Sequence, residues 1–120
     1  MHVPANSKYQ VVNFAELPGV ECLCGIAKRA FEDVPDYPAT VHLTEISADA
    51  KRHYHVRLTE VYFILESEAG AQLELDGELL AVAAGTCVMI PPGVRHRALG
   101  RMKVLIFVTP KFDAADEWFN

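Results

Sequence analysis

Apolar and polar residues alternate with a period of two along most of the chain, and no long stretch repeats with the helical period. The alternation predicts strands at 9–14, 21–29, 40–46, 53–55, 61–66, 71–75, 78–82, 86–90 and 104–109. Turn chemistry separates them. Asp76-Gly77 lies between two alternating runs, and both residues tolerate the positive φ that a tight hairpin requires. Pro91-Pro92-Gly93 closes another run, because proline donates nothing to a ladder and glycine permits the reversal. Helix is expected only near the end, where Asp113 can cap residues 114–119 and Asp116 and Glu117 would lie at the positive N-terminus. Many short strands broken by Gly and Pro predict an all-β barrel or sandwich.

At 120 residues the chain makes one domain, since two independent cores would each fall near the lower size limit. No repeat or linker divides residues 1–120. So small a core gains stability from oligomerisation or a bound metal. The net charge of −5 comes without a basic stripe, which argues against nucleic acid as a partner. No apolar run approaches the roughly 18 residues of a membrane span. Residues 1–8 show neither a basic nor an apolar leader segment, so no membrane partner and a cytoplasmic location are expected.

Three of the five histidines fall into two clusters. The first reads His53-Tyr54-His55-Val56-Arg57-Leu58-Thr59-Glu60. Residues two apart on a strand share a face, so both imidazoles converge, and a short turn brings in the Glu60 carboxylate. Two nitrogens and an oxygen suit any divalent ion from manganese to zinc. The second cluster runs from Gly85 through Pro91-Pro92-Gly93 to His96. About 30 residues separate the clusters, enough for a hairpin and strands to carry His96 back across a barrel. The four residues His53, His55, Glu60 and His96 are therefore the candidate ligands of one divalent transition metal per subunit (Fe, Mn, Ni, Zn or Cu).

These two clusters resemble the paired motifs of the cupin superfamily, G-x5-H-x-H-x3,4-E-x6-G and G-x5-P-x-G-x2-H-x3-N. His53, His55 and Glu60 match the first, while Gly85, Pro91, Gly93 and His96 match the second. The turn positions differ: Ser47 stands for the opening glycine, Gly70 closes late, and Gly100 replaces the last asparagine. The resemblance, over roughly residues 40–108, implies a small single-domain cupin. It would be a jelly-roll barrel (a double-stranded β-helix) with a core at about 40–109, a short C-terminal helix in the tail 110–120, and a metal in the mouth. It also implies a homodimer in which N-terminal strands at 9–29 contact the neighbour.

Other residues gather around this centre. Tyr62, two after Glu60, shares its face and is a candidate to bond a substrate oxygen, core packing being its plainer role. Arg57, Arg95 and Arg97 crowd the ligand loops, and Arg57 and Arg95 are the candidates to hold a substrate anion. Phe107, or alternatively Ile106, would line the floor. Cys87 and Met89 share one strand face. If it points inward, Cys87 approaches the metal, though free cysteine more commonly packs. Cys22 and Cys24 read as small packed residues, because no second cysteine pair completes a soft metal site. His42 reads as a flanking histidine and His2 as part of a loose terminus.

Four protein donors leave coordination positions open, the mark of a catalytic metal, and apolar barrel walls suit a small organic substrate. The leading expectation is an oxidoreductase of dioxygenase type, with Glu60 and Tyr62 as catalytic groups. A non-redox isomerase or lyase acting on a sugar or sugar acid is the alternative. A metal-dependent binding module without catalysis is the third.

Overall fold

The computed structural model describes residues 8–23, 25–47 and 50–120. Nine strands form among them: β1 (Val20–Cys22), β2 (Gly25–Ala30), β3 (Thr40–Ile46), β4 (Thr59–Ser67), β5 (Gln72–Leu75), β6 (Glu78–Ala81), β7 (Cys87–Ile90), β8 (His96–Leu99) and β9 (Met102–Thr109). They build a six-stranded sheet in the order β1-β2-β3-β9-β4-β7 and a three-stranded sheet in the order β6-β5-β8, antiparallel throughout. The result is the jelly-roll barrel.

Alternation decides what faces the interior. On β3, β4 and β9 the even-numbered residues point inward, so Ile46, Ile64, Val104 and Val108 meet Leu73 and Ala98 of the smaller sheet in one apolar core. The same parity sends His42, Glu60 and Tyr62 inward. Asp76 and Gly77 both adopt positive φ (47° and 86°), giving the tight β5–β6 hairpin that their chemistry predicts. Gly25 is required for a different reason. A Cβ there would overlap the Glu45 carbonyl oxygen across the β2–β3 ladder.

Several expected elements differ. Residues 9–14 form no strand; the segment ends in a single 3₁₀ turn, Phe14–Glu16, capped by Asn13, whose side chain accepts from the Ala15 amide. The run at 21–29 reverses between Cys22 and Gly25, making two strands of one. Residues 53–55 contribute isolated bridges, because the chain there bonds to two different neighbours instead of one ladder. Strand β8 was unexpected, since Arg97 interrupts the apolar pattern and pairs with Glu74 of β5. The C-terminal helix is one 3₁₀ turn, Ala114–Asp116, though Asp113 does cap it by accepting from the Ala115 amide. Among the described residues no helix is long and apolar enough to cross a membrane.

Candidate metal centre

Glu60 is the second residue of β4, where ladder contacts to Ile90 and Val108 fix its backbone. His96 opens β8 opposite Leu75. His53 reaches it by a reciprocal bridge, each amide donating to the other's carbonyl (3.1 and 2.8 Å). That bridge sets the two imidazole rings 4.4 Å apart. The Gly93 amide donates to the His55 carbonyl at 2.7 Å, joining the Pro-Pro-Gly turn to the first ligand cluster. As a result, donor atoms of His53, His55, Glu60 and His96 all lie within 4.8 Å of one another, and all four residues are buried.

The ring orientations suit a cation. Nδ1–H of His53 donates to the Lys51 carbonyl and Nδ1–H of His96 to that of Val94, each at 2.9 Å. Both Nε2 atoms are thereby left for the cluster, the arrangement that orients metal-bound histidines. His96 Nε2 stands 3.1 Å from Glu60 Oε1, a contact that needs a proton or a metal ion between the two atoms. His55 Nε2 is buried without a hydrogen-bond partner. Burial holds His53 down to about 4, with the neighbouring His96 adding to it, and burial likewise lowers His55. Burial pushes Glu60 up, but the His96 hydrogen bond and the surrounding imidazoles together outweigh it and leave its carboxyl below the ordinary value. Neutral imidazoles beside an ionised carboxylate are the forms that bind metal. Three nitrogens and one oxygen, one of them orphaned in the interior, fit a divalent transition metal.

A cavity of about 40 Å³ adjoins the cluster, lined by His53 and Glu60 together with Cys22, Arg29, His42, Tyr62, Ile106, Phe112 and Glu117. A larger depression of about 360 Å³ lies around Glu45, Ser67 and Arg101, at the ends of β3 and β4 away from His42 and Glu60. Tyr62 faces the interior, its ring edge-to-face with His96 at 6.0 Å. His42 is buried beside the cavity, bonded through Nε2 to Thr40 Oγ1 at 3.0 Å, and is outside the ligand cluster.

Other placements need correcting. Phe107 is on the outward parity of β9 and 40% exposed, so Ile106 takes the interior position. Arg57 turns away to pair with Asp113 at 2.7 Å. Arg95 stacks over Tyr54 at 3.8 Å and donates to the Gly93 carbonyl. Neither lines the cavity. Cys87 and Met89 are exposed on the outer face of β7, because that parity points away from the core. Cys24 and His2 lie outside the described residues.

Three participants were missed from sequence. Arg29 enters from β2, Glu117 from the tail, and Asp116 works behind the ligands. The Asp116 carboxylate accepts from the amides of Val56 (3.0 Å), Arg57 (2.9 Å) and Leu58 (3.2 Å) and from Trp118 Nε1 (3.0 Å). Burial alone would raise its pKa, but these donors outweigh burial and hold it at about 2. Trp118 adds a second strap by bridging Tyr54 through two backbone bonds of 2.9 Å. A run of Asp-Glu-Trp after an apolar barrel was the available signal.

The family model of the cupin domain matches residues 40–107, more than half of the chain and including all four candidate ligands. The chain belongs to the cupin family. Among solved cupin-like structures, a protein from Planctomyces limnophilus is 38% identical, with a TM-score of 0.90 over 94% of this chain and 98% of that one. The Streptomyces nucleoside dehydratase Pac13 is 20% identical, with a TM-score of 0.79 over 95% of each chain. Ectoine synthase from P. lautus is 15% identical, with a TM-score of 0.75 over 89% of this chain and 82% of that one. The last two likenesses concern the fold. No curated protein matches the chain.

Proposed function

We propose that this cupin is a metal-dependent enzyme that moves a proton on a small polar organic molecule, as a lyase or isomerase does. The observation that carries the reading is the company the ligands keep: Glu117, Tyr62 and His42 line the same cavity as His53 and Glu60. A divalent ion held by His53, His55, Glu60 and His96 would supply Lewis acidity to a carbonyl or hydroxyl oxygen.

The protein's own groups do the rest. Glu117 is half-buried, and burial first, then the Glu60 charge, raise its carboxyl above the ordinary value. It therefore keeps a proton closer to neutrality than a surface glutamate does and serves as the general acid and base. Tyr62 presents its phenol from the inner face of β4 to orient a substrate oxygen. His42, pulled down to about 4 by burial and next by Arg29, is a neutral imidazole that adds a polar wall without charge. Ile106 and Phe112 limit water. At about 40 Å³ the cavity takes only the reacting end of a substrate, with the remainder outside.

A dioxygenase is the second reading, supported by a ligand set that leaves coordination positions open. Metal content of untagged protein decides the shared part: close to one equivalent is expected, lost in His96→Ala, whereas no metal after reconstitution overturns metal dependence. Oxygen uptake separates the two chemistries. Iron-dependent consumption of oxygen with a small organic acid would replace the lyase reading, whereas metal-dependent exchange of substrate protons with solvent, slowed roughly 100-fold by Glu117→Gln, supports it.

We also propose a homodimer. Its surface includes the outer face of the large sheet, where Phe63, Met89 and Phe107 are exposed on adjoining strands, alongside the N-terminal segment at 9–29 that the family resemblance implies. Phe63→Glu should convert a dimer to a monomer in sedimentation; a monomeric wild type overturns the assignment.

A further inference from the structure

The wall of the cavity is polar in an uneven way. Arg29 lies on β2 opposite His42 of β3, with its guanidinium stacked over the Phe112 ring at 4.4 Å. Its Nε is buried and has no hydrogen-bond partner. Three other arginines near the ligand loops have partners at the surface: Arg57 has Asp113, Arg95 the Gly93 carbonyl and Arg97 Glu74. Arg29 is thus the one guanidinium among the described residues that line the cavity, and one of its donors lacks an acceptor. A guanidinium stays charged at any physiological pH, so a buried N–H of this kind is costly unless something supplies the missing oxygen.

We propose that Arg29 anchors a substrate carboxylate, so that the molecule handled at the metal centre is a small organic acid bound by its head. The inference deepens the proposed function and rests on the reading of this cavity as the catalytic pocket. Three further features agree with it. The Phe112 ring, 4.4 Å from the guanidinium carbon, limits where the group can move, and a planar guanidinium can present two donors to two oxygens in one plane. The cavity volume, about 40 Å³, suits a carboxylate-sized head and excludes a bulky one. The acidic groups of its wall are the carboxyls of Glu60 and Glu117, and the ionised Glu60 opposes a doubly charged phosphate more strongly than a single carboxylate.

The geometry also relates binding to reaction. Arg29 and the ligands His53 and Glu60 border one space, so a head group held on Arg29 brings the carbon next to it toward the metal side. Tyr62 and Glu117 border that same space.

Calorimetry with glycolate as the probe tests the anchor, using the full chain both metal-free and loaded with manganese. Glycolate should bind wild type more tightly than its neutral amide, glycolamide, and more tightly than inorganic phosphate. Arg29→Met should weaken glycolate binding about 10- to 100-fold and leave manganese affinity unchanged. Arg29→Lys keeps the charge without the planar fork and should recover only part of the loss, which gives a reading even where Arg29→Met folds poorly. Failure of glycolate to bind wild type, equal binding to wild type and both variants, or a preference for glycolamide or phosphate would each overturn the proposal. Because the metal-free titration reads Arg29 alone, an Arg29-dependent glycolate signal in protein that takes up no manganese sinks the metal centre and supports the anchor. Full manganese loading with glycolate binding independent of Arg29 does the reverse.

Discussion

Glu60 and His96 sit on strands, whereas His53 and His55 sit on an irregular segment, and the two pairs are held in place by different means. The strand pair is positioned by ladders: β4 lies between β7 and β9, and β8 pairs with β5. Such positions move only if the sheets come apart. The loop pair has no ladder of its own. It is held by single bridges to His96 and Trp118, by the Gly93 amide on the His55 carbonyl, and by the Asp116 carboxylate, which takes three consecutive amides from about 60 residues earlier in the chain. Half of the metal centre thus depends on the barrel core, and the other half on single backbone bridges together with a strap from the C-terminal tail, of which the ionised Asp116 is one part. The tail also delivers Glu117 to the cavity, so the same strap that sets the ligands positions a proposed proton carrier.

Substitutions on the two sides should separate these means of support. Leu73, at 0% exposure, belongs to the core between the sheets. Leu73→Ala should cost about 2–5 kcal/mol of global stability through the lost contacts and the cavity left behind. The metal affinity of the folded fraction should stay near wild type. Asp116→Ala leaves three amides and the Trp118 indole N–H without their acceptor, and should cost about 2–4 kcal/mol. Its signature is a fall in metal affinity of about 10- to 100-fold, as for other groups that orient ligands from behind. Urea unfolding paired with metal titration reads both effects. The contrast breaks if Asp116→Ala binds metal as wild type does, or if Leu73→Ala loses affinity in proportion to its stability.

The same division governs how much could be read from the sequence. The strand pair was legible because alternation fixes parity: once Glu60 faces inward, Tyr62 and Ile64 must follow. The ligand set was legible from the spacing of the two clusters together with their resemblance to the cupin motifs. Phe107 was misplaced by one residue, and on a strand that single step exchanges interior for solvent. The support from the tail was not legible. Nothing local marks Asp116 as the partner of Val56, Arg57 and Leu58, since its place in the first turn after Asp113 reads equally well as helix electrostatics. Arg29 was hidden for a related reason, because the run containing it reads as one strand until the reversal between Cys22 and Gly25 is known. Pairings far apart in sequence leave no periodic trace.

Acid separates the two supports with the smallest effect per step. His42, on β3 and faced by Arg29 and Glu60, is held neutral by burial, with a folded value of about 4 against an ordinary 6.5. The unfolded chain therefore takes up that proton first. The stabilisation is complete above pH 6.5 and is lost as the pH falls toward about 4. Asp116, lowered to about 2 from 3.8, contributes stability that is complete above pH 3.8 and is lost as the pH falls through about 2. Each proton changes stability by at most about 1.4 kcal/mol per pH unit. Chemical denaturation of metal-free protein should show the first decline, to which buried His53 and His55 also contribute, made shallower in His42→Phe, and the second made shallower in Asp116→Asn. A profile of wild type that is flat from pH 6.5 to 4 would mean that His42 and the buried ligands His53 and His55 are all protonated in the folded barrel, so that the wall and the ligands carry charge. In that case the distinction between a strand-held and a strap-held half of the site would have to rest on the metal titrations alone.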